Sequence, residues 1–146
     1  MQIDDVKNIC VVGAGNMGHQ ISLQCALAGY KTVCTDISKE VLGRAEIFAA
    51  NYLAERVKKG KMSEDKAQEI KGAVSFTADL NKAAQDADFV IEAVLEHLDL
   101  KRKIFAELDK IVPAHAILAT NSSMIVSSQL ADVTGRPAKV LNMHFF

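Results

Sequence analysis

Apolar residues in this chain fall into short unbroken runs that alternate with longer stretches of three- and four-residue periodicity. Ile9-Cys10-Val11-Val12 is one unbroken run, stopped by Gly13, the pattern of a strand covered on both faces. From Met17 to Ala28 the apolar positions Met17, Ile21, Leu23 to Cys25 and Leu27-Ala28 predict a helix, closed by Gly29 as a C-cap. Thr32 to Thr35 is a second buried strand that ends at Asp36. Together these segments make one strand-helix-strand unit of about thirty residues, the usual size of that motif.

The alternation continues to the end. Val41, Leu42, Ala45, Phe48, Ala49, Tyr52, Leu53 and Val57 give one apolar face to a helix from Lys39 to Lys59, which Gly60 stops. Ser63 with Glu64 and Asp65 opens another helix with a cap and an acidic first turn. Ala73 to Thr77 reads as strand three, Asp79 to Ala84 as a short helix, and Phe89 to Ile91 as strand four, ending at Glu92. Leu98 to Ile111 is amphipathic and is stopped by Pro113; Ala116 to Ala119 is strand five. Thr120 to Ser123 is a cluster of turn and cap residues, Ser127 to Ala131 a short helix, and Lys139 to Met143 strand six. Six short buried strands separated by helices predict an α/β fold, a doubly wound and mostly parallel sheet with helices on both faces.

Length and charge narrow the class. The 146 residues suit one domain, 1–146, with 49% hydrophobic and 24% charged residues close to the globular average. A net charge of -1 argues against a broadly basic nucleic-acid binder. No apolar run approaches the ~20 residues of a membrane span. Met1 to Asn8 lacks the layout of a secretory signal, so a cytoplasmic protein is expected. Cys10, Cys25 and Cys34 have no metal-ligand spacing and read as small buried hydrophobes; no metal site is expected.

The first chemical motif is Gly13-Ala14-Gly15-Asn16-Met17-Gly18, a GxGxxG that follows a buried strand and opens a helix. An acid, Asp36, follows at the spacing of about twenty residues, and this context makes the pattern a dinucleotide fingerprint. Gly13 would allow the tight turn, Gly15 the approach of a pyrophosphate, and Gly18 the close packing of helix on strand. The phosphates would sit on free N–H groups at the helix start. Asp36 can accept both ribose hydroxyls and would repel a 2′-phosphate, and no Arg follows in Ile37-Ser38-Lys39. NAD is favoured over NADP. Ser38 suits the next helix cap better, which leaves Asp36 free for the ribose.

Other polar residues, Glu92, Glu96, Asn121, Ser122, Ser123 and His144, lie at or just past strand ends, where open α/β sheets bind ligands. Each has a plain alternative. Ser122-Ser123 could simply cap the next helix. Glu96 and Lys101 read most simply as an exposed charge pair at a helix start. His144, on an apolar strand, could be a satisfied core histidine. His19, His97 and His115 read as surface residues, and the basic cluster Lys58-Lys59-Gly60-Lys61 as a favourable helix end or a phosphate-docking patch.

VVGAGNMG (Val11 to Gly18), ADFVIEAVLE (Ala87 to Glu96), the Lys101 to Leu108 run, ILATNSS (Ile117 to Ser123) and MHFF (Met143 to Phe146) recur in order along the chain. In these the sequence resembles the N-terminal domain of L-3-hydroxyacyl-CoA dehydrogenases, most closely the bacterial 3-hydroxybutyryl-CoA type. The resemblance implies a Rossmann domain in which Gly13, Ala14, Gly15, Asn16, Met17, Gly18, Asp36 and Asn121 hold NAD. It further implies that Glu96 and Lys101 line the nicotinamide side. It implies that Ser123 touches the reacting substrate oxygen, that His144 is the catalytic base, and that Lys59 contacts the CoA of an acyl-CoA substrate. Ser122 replaces the family's usual Thr, and Tyr52 stands where relatives often carry a small polar residue that contacts CoA.

In the family, the glutamate that orients the histidine and a helical dimerisation domain follow the segment that ends this chain. The chain is therefore expected to be cut short, to bind NAD, and to be weak or inactive by itself; the whole protein is expected to be a homodimer. The rival expectation is a non-catalytic NAD-sensing module on the same fold. Ser123 together with His144 favours the enzyme, because a sensor needs no base beside the nicotinamide.

Overall fold

The computed structural model describes residues 2–146; Met1, the first residue of the stretch read above as lacking a signal layout, lies outside the described residues. β1 (Asn8–Val12), β2 (Lys31–Thr35), β3 (Val74–Thr77), β4 (Phe89–Glu92), β5 (Ile117–Thr120) and β6 (Val140–Asn142) form a six-stranded sheet in the order β3-β2-β1-β4-β5-β6. Every pairing is parallel, and Val11 lies beside Cys34 of β2 on one side and Ile91 of β4 on the other. Parallel strands need crossovers, which here carry α1 (Gly18–Leu27), α2 (Lys39–Lys58), α3 (Glu64–Ala73), α4 (Leu80–Ala84), α5 (Leu98–Ile111) and α6 (Ser128–Ala131).

The continuous apolar runs are explained by a core on each side of the sheet. Cys10 and Val12 point to one face, where they pack with Ala84 of α4, Phe105 and Leu108 of α5 and Leu130 of α6. Ile9 and Val11 point to the other, against Ile21 of α1 and Leu42 and Ala45 of α2. Leu23, Ala26, Ala49, Leu53, Ala67 and Ile70 seal α1, α2 and α3 to one another. Side chains alternate along a strand, so a strand between two helical layers must be apolar at every position. Cys10 and Cys34 are buried within it, and burial pushes the Cys34 thiol up to about 11 and raises Cys10 further. Cys25 is half-buried and is raised to about 11 for the same reason. All three behave as small hydrophobes, as expected.

Element ends follow side-chain chemistry. The Ser38, Ser63 and Asp79 oxygens accept from the amides of Val41, Lys66 and Lys82 and cap α2, α3 and α4. Some boundaries differ from expectation. β5 runs one residue later than read and includes Thr120, because the Ala116 amide is used in a turn with the Pro113 carbonyl. β6 is shorter, because Pro137–Lys139 forms a 3₁₀ turn in front of it. A second such turn, Ile3–Asp5, precedes β1 and had no signal in the periodicity.

At the sheet edge where strands begin, one carboxylate ties three segments. Asp88 Oδ2 accepts from the Lys7 and Asn8 amides, both at 2.9 Å, and Oδ1 lies 2.7 Å from His115 Nε2. His115 is exposed as expected, yet it is paired. Burial alone would raise the Asp88 carboxyl, but the Asn8 and Lys7 amides and His115 outweigh it and hold it at about 2. A carboxyl held low when folded stabilises the fold above its ordinary range and loses that contribution as pH falls toward 2. A shift of this size is worth on the order of 2 kcal/mol. Asp88→Asn should lower stability at pH 7 by about that amount and flatten the fall of melting temperature between pH 4 and pH 2. Urea unfolding of both forms across that range checks this.

Candidate functional site

All six strands run the same way, so their C-terminal ends share one edge. The strand order reverses between β1 and β4, and a crevice opens there in sheets of this kind. Gly13 leaves β1 at a φ of +99°, a region that side chains rarely adopt. Its amide donates to the Thr35 carbonyl at 2.8 Å, and a Cβ there would lie 2.7 Å from the Ala93 carbonyl oxygen of the chain leaving β4. A Cβ on Gly18 would lie 1.7 Å from the Gly13 carbonyl oxygen, so the first turn of α1 rests on the loop's own backbone as well as on Val11. Gly15 differs from both: nothing lies within 4 Å of its Cβ position. Two of the glycines are filled in by protein, and the middle one faces open space at a helix start with no side-chain cap and no acid in its first turn. That open cradle fits a bound pyrophosphate.

Asp36 spans the neighbouring strand end. Its Oδ2 accepts from the Ala14 amide and its Oδ1 from the Ser38 amide, each at 2.9 Å. Ser38 does cap α2, but Asp36 is not free, contrary to the expectation from sequence. It already ties the glycine loop to the start of α2, and each oxygen retains a further lone pair for a ribose hydroxyl. His19 is the second residue of α1, with Nδ1 2.5 Å from the Gly15 carbonyl oxygen and its ring edge-on to Phe48.

Beyond β4 and β5 the structure corrects the sequence. Lys101 and Glu96 are not an exposed charge pair. The Lys101 side chain is 1% exposed, and its Nζ lies 2.7 Å from Oε1 of Glu92, which is fully buried. Glu96 Oε2 at 3.3 Å and the Val94 carbonyl at 3.4 Å complete the surroundings of the ammonium. Glu92 also accepts from the Val94 amide and from the Thr120 hydroxyl, each at 2.7 Å. Sequence reasoning placed Glu92 at a strand end but missed this pair. One signal was available: Lys101, Phe105, Leu108 and Val112 share one helical stripe, so Lys101 occupies a core position.

Ser122 is buried and caps no helix, since the N-cap of α6 is Ser127; its Oγ instead closes a turn, accepting from the Met124 and Ile125 amides at 3.1 and 2.7 Å. Its hydroxyl in turn donates to Glu96. Burial would raise the Glu96 carboxyl, but the Ser122 hydroxyl and the Lys101 ammonium hold it below the ordinary carboxylate range. Ser123 is exposed beside it. Asn121 Oδ1 accepts from the Phe145 amide at 2.8 Å. Asn142, which the sequence did not single out, donates to the Ser122 and Ile125 carbonyls and accepts from the Ser127 amide. These two asparagines hold the segment carrying His144 against the loop carrying Ser123. His144 is exposed, 5.4 Å ring to ring from Phe146, and is not a core histidine. His97 is exposed, and its Nδ1 caps α5 by accepting from the Leu100 amide.

Lys59 lies away from this edge. It caps the far end of α2, about 30 Å along the helix from Ser38, and pairs with Glu55 at 2.6 Å on the surface. Among the described residues no group of three His, Cys, Asp or Glu could hold a metal ion. Nor is any helix long and apolar enough to cross a membrane.

A doubly wound parallel sheet with an open glycine cradle and a carboxylate at the next strand end defines a dinucleotide-binding domain of the NAD type. The chain belongs to the 3-hydroxyacyl-CoA dehydrogenase family, whose NAD-binding domain model matches residues 8–146. It is 36% identical over 141 residues to a probable 3-hydroxybutyryl-CoA dehydrogenase of Bacillus subtilis, covering 97% of this chain and 49% of that protein. It is 36% identical over 144 residues to a 3-hydroxybutyryl-CoA dehydrogenase of Mycobacterium tuberculosis, covering 98% and 50%. The crystal structure of 3-hydroxybutyryl-CoA dehydrogenase from Escherichia coli K12 superposes with a TM-score of 0.92 at 33% identity, over 97% of this chain and 30% of that one. The chain thus spans about half the length of these two bacterial relatives.

The glycines make separable predictions. Gly13→Ala and Gly18→Ala force a methyl into backbone and should destabilise the fold by about 1–3 kcal/mol or more. Gly15→Ala should keep the parent melting temperature and lose NADH affinity roughly tenfold or more. Thermal melts and fluorescence titration of the three variants decide this.

Proposed function

We propose that residues 1–146 are the dinucleotide-binding domain of an enzyme that interconverts (S)-3-hydroxyacyl-CoA and 3-oxoacyl-CoA. The short-chain pair 3-hydroxybutyryl-CoA and acetoacetyl-CoA is the expected substrate. The observation that carries the reading is that one sheet edge holds both the open glycine cradle with Asp36 and, bound together by Asn121 and Asn142, the segments bearing Ser123 and His144. The family match across nearly the whole chain supports it.

In this reading the loop from Gly13 to Gly18 cradles the pyrophosphate: the amides from Gly15 through Asn16 and Met17 are left for it, the Gly13 and Ala14 amides, already given to Thr35 and Asp36, fix the loop, and Asp36 takes the adenosine ribose. Glu96 and Asn121 face the nicotinamide half. Lys101 acts through Glu96, because its own donors are already taken. When bound, NAD supplies the hydride acceptor. His144 takes the proton of the substrate 3-hydroxyl in the oxidative direction and returns it in the reductive one. An imidazole suits both, since its ordinary pKa lies near neutral pH. The Ser123 hydroxyl hydrogen-bonds the same substrate oxygen and fixes it against the base. Lys59 meets the distant end of an extended CoA. A base without an orienting acid loses control of its tautomer, so these residues by themselves are expected to turn over weakly. The whole protein is read as a cytoplasmic homodimer whose second half supplies that acid.

The test is NADH oxidation with acetoacetyl-CoA by the full-length protein. Saturable turnover that falls about 10²–10⁴-fold in His144→Ala, with NADH affinity kept, is the expected result. A folded full-length protein that binds NADH but reduces no 3-oxoacyl-CoA would leave the sensing module as the better reading.

A further inference from the structure

We propose that Glu92 is a positioning residue, one that sets the loop carrying Ser123 through a chain of hydrogen bonds that runs from the buried Glu92 and Lys101 out to the exposed Glu96; the inference rests on the reading of Ser123 above. The contacts form one unbroken path. Thr120 donates to Glu92 Oε2 at 2.7 Å, and Lys101 Nζ meets Glu92 Oε1 at 2.7 Å. The same Lys101 nitrogen meets Glu96 Oε2 at 3.3 Å, and the other oxygen of Glu96 takes the Ser122 hydroxyl. Ser122 closes the path: its amide donates to Thr120 Oγ1 at 3.2 Å, and its Oγ accepts from the Met124 and Ile125 amides. Ser123 is the exposed residue of the turn that Ser122 closes onto the Met124 and Ile125 amides, directly attached to this ring.

Two features separate positioning from packing. Glu92 and Lys101 occupy fully buried sites, where an ion pair is often no more stabilising than a hydrophobic pair of equal volume. An apolar pair, however, could neither accept from Thr120 nor anchor Glu96. Apart from their bond to each other, the hydrogen bonds of the pair go to Val94 and Glu96 past β4 and to Thr120 at the end of β5. The carboxylate thus links β4, β5 and α5 at the edge where Ser123 is presented, and its full burial closes it to direct contact with a ligand.

The experiment is amide hydrogen exchange on the protein with Glu92→Gln and, separately, Thr120→Val, followed by a double-mutant cycle with Ser123→Ala. Exchange at Met124 and Ile125 should quicken by about tenfold or more in both variants, while Cys10 and Val11 in β1 keep parental protection. In the full-length protein, kcat should fall in Glu92→Gln with little change in KM for NADH, and the fall should largely vanish in the Ser123→Ala background. Uniformly faster exchange, or unchanged exchange at residues 124 and 125, would overturn the proposal. So would an equal fold loss from Glu92→Gln with and without the Ser123→Ala change. A full-length protein without dehydrogenase activity would defeat the functional reading alone, because the exchange measurement still decides whether Glu92 holds the loop.

Discussion

The close approach of Gly18 to Gly13 is the constraint on which the rest of the site depends. A side chain on either glycine would collide with backbone, at the Gly13 carbonyl in one case and the Ala93 carbonyl in the other. Their absence lets β1 turn into α1 within a few residues while staying in contact with the chain leaving β4. That puts the start of α1, with its unpaired amides, at the point where the strand order reverses. Asp36 then locks the loop to the beginning of α2 through Ala14 and Ser38. The glycine loop, the second strand end and the crevice are thereby one rigid unit, and Gly15 alone is left facing open space.

On the other side of the crevice the same edge is organised by charge. Burying an ammonium and a carboxylate carries a desolvation cost of several kcal/mol per ion, which their mutual attraction offsets only with good geometry and satisfied neighbours. Here both conditions hold, since Glu92 has Val94 and Thr120 as further partners and Lys101 has Glu96 and the Val94 carbonyl. A buried pair of this kind often gives no more stability than an apolar pair would. What it adds is a fixed relation between the loops that follow β4 and β5.

Most of the fold was legible in the sequence because a strand between two helical layers has no polar face. The runs at Ile9 to Val12 and Phe89 to Ile91 are unbroken for that reason, and the split of Cys10 and Ile9 to opposite cores follows from it. The glycine loop was legible because its spacing is backbone geometry written in residue types. The parts misread were those where a polar side chain does something other than its average. Lys101 looked exposed because lysines usually are, yet its spacing with Phe105 and Leu108 puts it in the core. Asp36 looked free because a better cap stood beside it, and the Ala14 amide has no sequence signature. His144 looked like a core residue because an apolar strand precedes it, but that strand ends at Asn142. The tie from Asn142 to the Ser122 loop joins residues distant in sequence, and periodicity carries no record of such contacts.

Calorimetric titration of the chain with NADH and with NADPH tests most directly whether the cofactor site is built within these residues. The expected result is saturable NADH binding, far weaker binding of NADPH because Asp36 repels its additional phosphate, and loss of NADH binding in Asp36→Ala. A folded chain that binds neither nucleotide, or binds NADPH as tightly as NADH, would contradict it.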